Sequence, residues 1–382
     1  MEATHGSPVA AGKRVYIIAG EASGDLHGGN LVKELKALDP SMKVRAWGGD
    51  RMQAAGAEVV KHYRDLAFMG FAEVIRNLRT ILRNLQDCKE DIERFRPDAI
   101  VLIDYPGFNL RIAEHAHKLG IPVHYYISPQ VWAWKPGRVR SIARTVDHMH
   151  VILPFEKDWY AEKGMEVDFV GHPLLDELPI DPGKERIPDR IALLPGSRRQ
   201  EIASMLPLML KMVPRFPDHR FVVAAAPSVP DEVYAQLIGN SPVEVVKGRT
   251  YEVLATAHAA LVTSGTATLE AALLGVPLVI CYRGSALNVW LARRLVNIKF
   301  IGLANLIMGR EVVTELIQSD LNEERLEKEL RALIGNGDRR NAILKDLEQL
   351  RQRLGGPGAS RKVAMAVWKT LQRSAGSALS TR

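Results

Sequence analysis

The sequence predicts an α/β protein of two domains of similar size, each a parallel sheet covered by helices. Three observations predict it. Short β-branched runs alternate with longer amphipathic stretches; a Pro-rich stretch, PLLDELPIDPGKERIP at 173–188, separates two sets of that alternation; and 382 residues, 47% of them hydrophobic, are enough for two ordinary cores.

The first set runs RVYIIAG, GGNLVKELKAL, KVRAWGG, DAIVLID, LRIAEHAHKLG and IPVHYYIS. Continuous apolar runs are strands buried on both faces, and a helix between two of them makes the strands parallel. The second set, RIALLPG, FVVAAA, VEVVKG, AALVTSG and PLVICY, repeats the pattern. The expected domains are 14–172 and 189–337, hinged near 173–188, with ligands held in a cleft between them. Two closing helices are expected over 338–373, DRRNAILKDLEQLRQRL and SRKVAMAVWKTLQ with a GGPG break between, before a frayed tail.

Composition narrows the function classes. Two cysteines, Cys88 and Cys281, lie far apart without a CxxC or Cys/His grouping, which points to a reducing compartment and buried thiols rather than structural zinc. No run approaches the eighteen or so apolar residues that span a bilayer, and residues 1–13 lack the order of a secretory signal, so the expected location is the cytoplasm. A net charge of +7 favours anionic partners without choosing among nucleic acid, lipid head groups and sugar nucleotides. There is no D-x-D and no ligand-spaced His/Cys/carboxylate set. A bound diphosphate would therefore be neutralised by arginine and helix dipoles; no metal and no cofactor is expected.

Residues directly after the strands of an open α/β sheet are the first candidates for a site. AGEASGDLHGG (19–29) is not a dinucleotide loop: its glycines fall at 20, 24 and 28 instead of G-x-G-x-x-G, and Glu21 and Asp25 would repel a pyrophosphate. Gly20, Ser23 and Gly24 leave N–H groups at a helix start, and Glu21 offers a carboxylate. A tight turn capped by Ser23 or Asp25 fits the same residues. In AIVLIDYPGFN, Asp104 stands where the strand should end, before a Pro-Gly turn and Asn109. With an ordinary pKa of about 3.9 it is ionised at neutral pH and suited to accept a proton from an attacking hydroxyl; a helix cap or a salt bridge is the bland alternative.

The second domain opens with LLPGSRRQEI (193–202), where Gly196, Ser197 and the following amides make an anion-binding helix start and Arg198 or Arg199 adds a cation. In LVTSGTATLEAALLGVP, Ser264, Gly265 and Thr266 form another such start, and Glu270 lies a turn along. Two anion cradles and a carboxylate suit a nucleoside diphosphate, with Glu270 for the ribose hydroxyls; close packing of an alanine-rich helix explains part of the same pattern.

DLAFMGFAEVIRNLRTILRNL (65–85) places Phe71, Val74, Ile75, Leu78, Ile81, Leu82 and Leu85 on one helical face beside Arg76, Arg79 and Arg83. That is the pattern of a helix lying in a membrane interface and equally of a core helix with a solvated arginine face, which periodicity alone favours. HYYISPQVWAWKPGRVRSIAR, with Trp132, Trp134, Lys135, Arg138, Arg140 and Arg144, fits an anionic amphiphile; as a nucleic-acid patch it is too short.

AGEASGDLHGGNL, FMGFAEV, LIDYPGFN, HYYISPQVWAWKPGRV, LPFEKDWY, GHPLLD, LLPGSRRQE, SGTATLEAALLGVPLVICYR and LANLIMGREVVTEL stand in the order found in the bacterial lipid-A-disaccharide synthase family, which this chain resembles over roughly 14–370. The resemblance implies a metal-independent, inverting GT-B glycosyltransferase with two Rossmann-like domains. It would join UDP-2,3-diacylglucosamine to 2,3-diacylglucosamine 1-phosphate, giving a β-1,6-linked disaccharide and UDP. It makes Asp104 the general base, places Glu21 and Ser23 in the cleft and Asn305 near the reacting sugar, and lines the UDP site with Arg198, Ser264, Gly265, Thr266 and Glu270. It turns the 66–85 segment, with Phe68, Met69, Phe71, Val74, Ile75 and Leu78, into a patch contacting the cytoplasmic face of the inner membrane as a peripheral protein. Long C-terminal helices make a homodimer an expectation, and no nucleic-acid partner is implied. The rival readings are a UDP-sugar 2-epimerase on the same scaffold, which would turn over UDP-N-acetylglucosamine without lipid, and a non-catalytic sugar-nucleotide or membrane-docking protein.

Overall fold

The computed structural model describes residues 12–66, 78–134, 136–178, 185–284 and 299–379, with the side chains of residue 78 and of 374–379 left out. The chain forms two compact units: one comprises the chain up to Asp176 together with the stretch from Pro357 onward, the other Glu177–Gly356.

In the first unit the strands are β1 (Arg14–Ala19), β2 (Lys43–Gly48), β3 (Glu58–His62), β4 (Ala99–Ile103), β5 (Val123–Tyr126), β6 (His148–Val151) and β7 (Asp168–Phe169). They form one parallel sheet in the order β3-β2-β1-β4-β5-β6-β7. The central strands are buried along nearly their whole length, as the continuous runs VYIIA and AIVLI require when helices cover both faces. One face packs Tyr16, Ile18, Ile100 and Leu102 under Cys88, Ile92 and Ile112. The other packs Val15, Ile17, Val101 and Ile103 under Leu31, Val32 and Leu35.

The second unit repeats the plan with β8 (Ile187–Leu194), β9 (Arg220–Ala225), β10 (Glu244–Lys247), β11 (Ala257–Thr263), β12 (Leu278–Tyr282) and β13 (Glu315–Ile317), parallel in the order β10-β9-β8-β11-β12-β13. In each sheet the strand order reverses once, between β1 and β4 and between β8 and β11. Loops leaving adjacent strands at such a reversal run to opposite faces of the sheet, which makes these strand ends the usual ligand position.

The two C-terminal helices part company. Asp338–Arg353 stays with the second unit, whereas Ala359–Leu379 belongs to the first and packs Val363, Ala364, Val367 and Leu371 into the core beside Val15 and Ile17. Its start is capped from a distance: the Asp176 carboxylate accepts the N–H groups of Gly358, Ala359 and Ser360. A carboxylate at a helix N-terminus satisfies groups that have no partner within the helix. Both cysteines are buried and unpaired. No helix among the described residues is long and apolar enough to cross a membrane.

Candidate active site

At the first reversal the site is built around Asp104, the residue directly after β4. Asp104 and Tyr105 both take left-handed backbone conformations, φ 45° and 49°. For residues other than glycine each costs on the order of 1–3 kcal/mol and persists only where the surroundings fix it. Here they do: the Asp104 N–H donates to the Tyr126 carbonyl at 3.0 Å, and its own carbonyl accepts from the Tyr125 hydroxyl at 2.6 Å and from Asn109 Nδ2 at 2.7 Å. The Tyr105 ring stacks on Phe108 and lies so close to Gly20 that a Cβ there would be 2.4 Å from ring atoms. The first glycine of AGEASGD thus makes room for the residue that turns Asp104 out of its strand.

The carboxylate this backbone presents has its pKa raised to about 6, by burial first and by the nearby negative charge of Glu21 second, against a hydrogen bond from the Tyr105 N–H. The sequence alone implies an ordinary aspartate; packing shifts it toward the range in which a carboxylate is a better base. Glu21, two residues after β1, is the N-cap of the helix Ala22–Leu38 but its side chain makes no capping hydrogen bond and is exposed, as is Ser23 in the first turn. Asp25, a possible cap of its own turn by sequence, caps a different one. It is 2% exposed, and its carboxylate accepts the N–H groups of Gly49, Arg51 and Met52, fastening the β2 loop and the short helix Asp50–Ala54.

At the second reversal one pocket is lined by Gly196, Ser197 and Arg198 after β8, and by Ser264, Gly265, Thr266 and Glu270 after β11, so the five residues expected to hold UDP lie together. The Ser264 N–H belongs to the sheet, donating to the Cys281 carbonyl. Gly265 (φ 155°) caps the helix Thr266–Leu273, and the N–H groups of Gly265, Thr266 and Ala267 have no protein acceptor among the described residues. Glu270 accepts a hydrogen bond from the Tyr251 hydroxyl at 3.1 Å, and burial raises its pKa.

The first cradle is different from the expectation. The Ser197 and Arg198 amides both donate to Glu201 Oε2, at 3.1 and 3.3 Å, and the Arg198 guanidinium lies 3.4 Å from Oε1. These amides are engaged, because an acidic residue three positions after the helix N-cap folds back on it. The sequence signal for this is the spacing R-x-x-E in GSRRQE, a weak one because the cap residue is neither Ser nor Thr.

Asn305 also differs. It is fully buried, with Nδ2 donating to the Val313 carbonyl and Glu315 and Oδ1 accepting the N–H groups of Val312 and Val313. Both donors and both lone-pair positions are engaged, so its amide braces the 312–315 segment and retains nothing for a sugar.

Of the residues expected to contact a membrane, Phe68, Met69, Phe71, Val74 and Ile75 lie outside the described residues, and Leu78 begins the helix Leu78–Phe95 with its side chain undescribed. Further along that helix Leu85 is buried, while Leu82 is 53% exposed between exposed Arg79 and Arg83. In the second amphiphilic tract Trp132 donates to buried Glu156, and the Arg138 guanidinium sits 5.9 Å over the ring of exposed Trp134.

A family model described as lipid-A-disaccharide synthetase matches residues 15–369. The lipid-A-disaccharide synthase of Syntrophus aciditrophicus is 42% identical, covering 95% of this chain and 99% of its own, and that of Geobacter metallireducens is 41% identical over 95% and 98%. Among solved structures, a kitacinnamycin glycotransferase has a TM-score of 0.63 at 16% identity (94% and 99% coverage), and MurG of Acinetobacter baumannii 0.59 at 15% (94% and 99%). Those two likenesses are of fold, and the fold is GT-B, with two Rossmann-like domains. The chain belongs to the lipid-A-disaccharide synthase family, glycosyltransferases of lipid A biosynthesis.

Proposed function

We propose that the chain is an inverting, metal-independent transferase joining UDP-2,3-diacylglucosamine to 2,3-diacylglucosamine 1-phosphate, with the β-1,6-linked disaccharide 1-phosphate and UDP as products. The observation that carries this reading is the pairing of opposite chemistries at the two sheet reversals: a desolvated carboxylate in one unit, an amide-lined pocket beside an arginine in the other. Asp104 accepts the proton of the acceptor 6-hydroxyl as that oxygen bonds to the anomeric carbon. The bond from that carbon to the diphosphate breaks, and its electron pair leaves on phosphate oxygen, stabilised by Arg198 and the amides of Gly265, Thr266 and Ala267.

Glu270 takes the ribose hydroxyls. Glu21 and Ser23 hold acceptor hydroxyls beside Asp104, and the charge of Glu21 helps keep that base near neutrality. Asn305 acts at one remove, by bracing the 312–315 segment. The 66–85 segment, with Phe68, Met69, Phe71, Val74, Ile75 and Leu78, brings the enzyme to the cytoplasmic face of the inner membrane, where both lipids reside, and the protein works as a homodimer.

The test is a magnesium-free assay with both lipids, following UDP and disaccharide by mass spectrometry. Equal amounts of the two products, formed only when both lipids are present, are expected. UDP binding without product would overturn the catalytic reading.

A further inference from the structure

Glu201 stands where an incoming phosphate would be received. Among the described residues, the pocket proposed for the diphosphate is lined by two carboxylates, Glu201 and Glu270, and one guanidinium, Arg198, and Glu201 pairs with that guanidinium. Glu201 also takes the amides of Ser197 and Arg198. Gly196, at φ 119°, allows this closeness: a Cβ there would be 2.7 Å from both Cβ and Oε2 of Glu201. Across the pocket, the amides of Gly265, Thr266 and Ala267 carry no such internal acceptor among the described residues. One half of the pocket is therefore open to an anion, and the other is filled by an anion of the protein's own.

We propose that Glu201 is a built-in competitor for Arg198, which the diphosphate displaces on binding and which reclaims the arginine to help expel UDP after transfer. This rests on the UDP-donor reading above. The contact is suited to exchange, since the Arg198 side chain is 63% exposed and that of Glu201 34%, and ion pairs so exposed are worth little and exchange partners readily. A diphosphate, with more charge and more acceptor oxygens than one carboxylate, wins Arg198 by charge-assisted hydrogen bonds. The carboxylate remains close by and repels the bound diphosphate, so it weakens UDP without weakening the amide cradle opposite. Glu201 is thus a positioning residue that sets the affinity for the leaving nucleotide.

The experiment is UDP calorimetry and UDP product inhibition on the full chain and on Glu201→Gln, Glu201→Ala and Arg198→Ala/Glu201→Gln. Glutamine serves the same cap position without the charge, so the helix start is kept. The expected result is UDP binding about two- to tenfold tighter in Glu201→Gln, the scale of one exposed charge pair plus relieved repulsion. Its inhibition constant for UDP should fall in parallel, the gain should shrink at high salt, and it should be smaller when Arg198 is also absent, where only the relieved repulsion is left. Glu201→Ala, which loses the cap as well, separates the charge from the brace. Unchanged or weaker UDP binding by Glu201→Gln overturns the proposal and makes Glu201 a brace only. Failure of the unaltered protein to bind UDP would instead sink the donor reading on which it rests.

Discussion

After β1 and β4 the first unit places Glu21 and Asp104; after β8 and β11 the second places Gly196–Arg198 and Ser264–Thr266, at the same topological position of the same kind of sheet. At the first, an exposed carboxylate stands near a partly buried one whose pKa is pushed to about 6. At the second, amide hydrogens and a guanidinium converge, with Glu201 folded among them. One scaffold supplies the position, and a handful of loop residues decide whether carboxylates or N–H donors gather there. A parallel sheet delivers loops to its carboxyl edge regardless of their chemistry, which is why fold alone does not name a function.

The two sites differ most at Asp104. Asp104→Ala is expected to lower kcat on the order of 10²- to 10⁴-fold while UDP affinity stays within error, because the two chemistries sit in separate units. Retained turnover, or a lost UDP isotherm, would contradict the division of labour.

Asp104→Asn sharpens the same contrast through stability. An acid whose folded pKa, about 6, lies above its unfolded value, 3.8, destabilises the fold as pH rises through that interval, with the full penalty present above about pH 6. Urea denaturation should find the Asn variant more stable than the parent at pH 8, by up to about 3 kcal/mol, with the gap closing near pH 4. In the parent, kcat/KM should rise with pH around a midpoint near 6. No gap at pH 8 would mean that Asp104 is not desolvated.

Gly20→Ala tests whether the opening loop serves Asp104 through Tyr105. The added methyl meets the ring at 2.4 Å, so the ring must move and the left-handed turn loses its support. A roughly tenfold loss of kcat with a stability cost of about 1–3 kcal/mol is expected. Unchanged kinetics would detach the glycine from the catalytic turn. The smallest effect belongs to Arg198→Ala, where UDP should bind up to about tenfold more weakly with little change in the pH midpoint, since Arg198 lines the pocket of the second unit and Asp104 belongs to the first. Calorimetry showing equal affinity would remove Arg198 from the phosphate site.

Much of this organisation was legible in the residues. Parallel strands buried on both faces leave continuous apolar runs, so RVYIIA, AIVLI and AHAALVT announce themselves, and the residue after each run falls at the carboxyl edge whatever the packing. That is how Glu21, Asp104 and Ser264–Thr266 could be singled out, and how two sheets and their break near 173–188 could be expected. The resemblance across nine ordered motifs supplied the chemistry that a single loop cannot.

The tertiary structure decided the rest, because each remaining feature depends on which residues meet across long sequence separations. Asp25 has the residue type and position of a ligand-facing acid, yet the β2 loop reaches it first. Asn305 stands in a family motif, but the 312–315 backbone takes both ends of its amide. The last helix follows the second unit in the chain and packs into the first, through a cap from Asp176 more than 180 positions earlier. Local pattern determined that there would be strands, helices and exposed loop ends. Only packing could set the raised pKa of Asp104, since desolvation and the charge of Glu21 are properties of a place in space and not of a residue type.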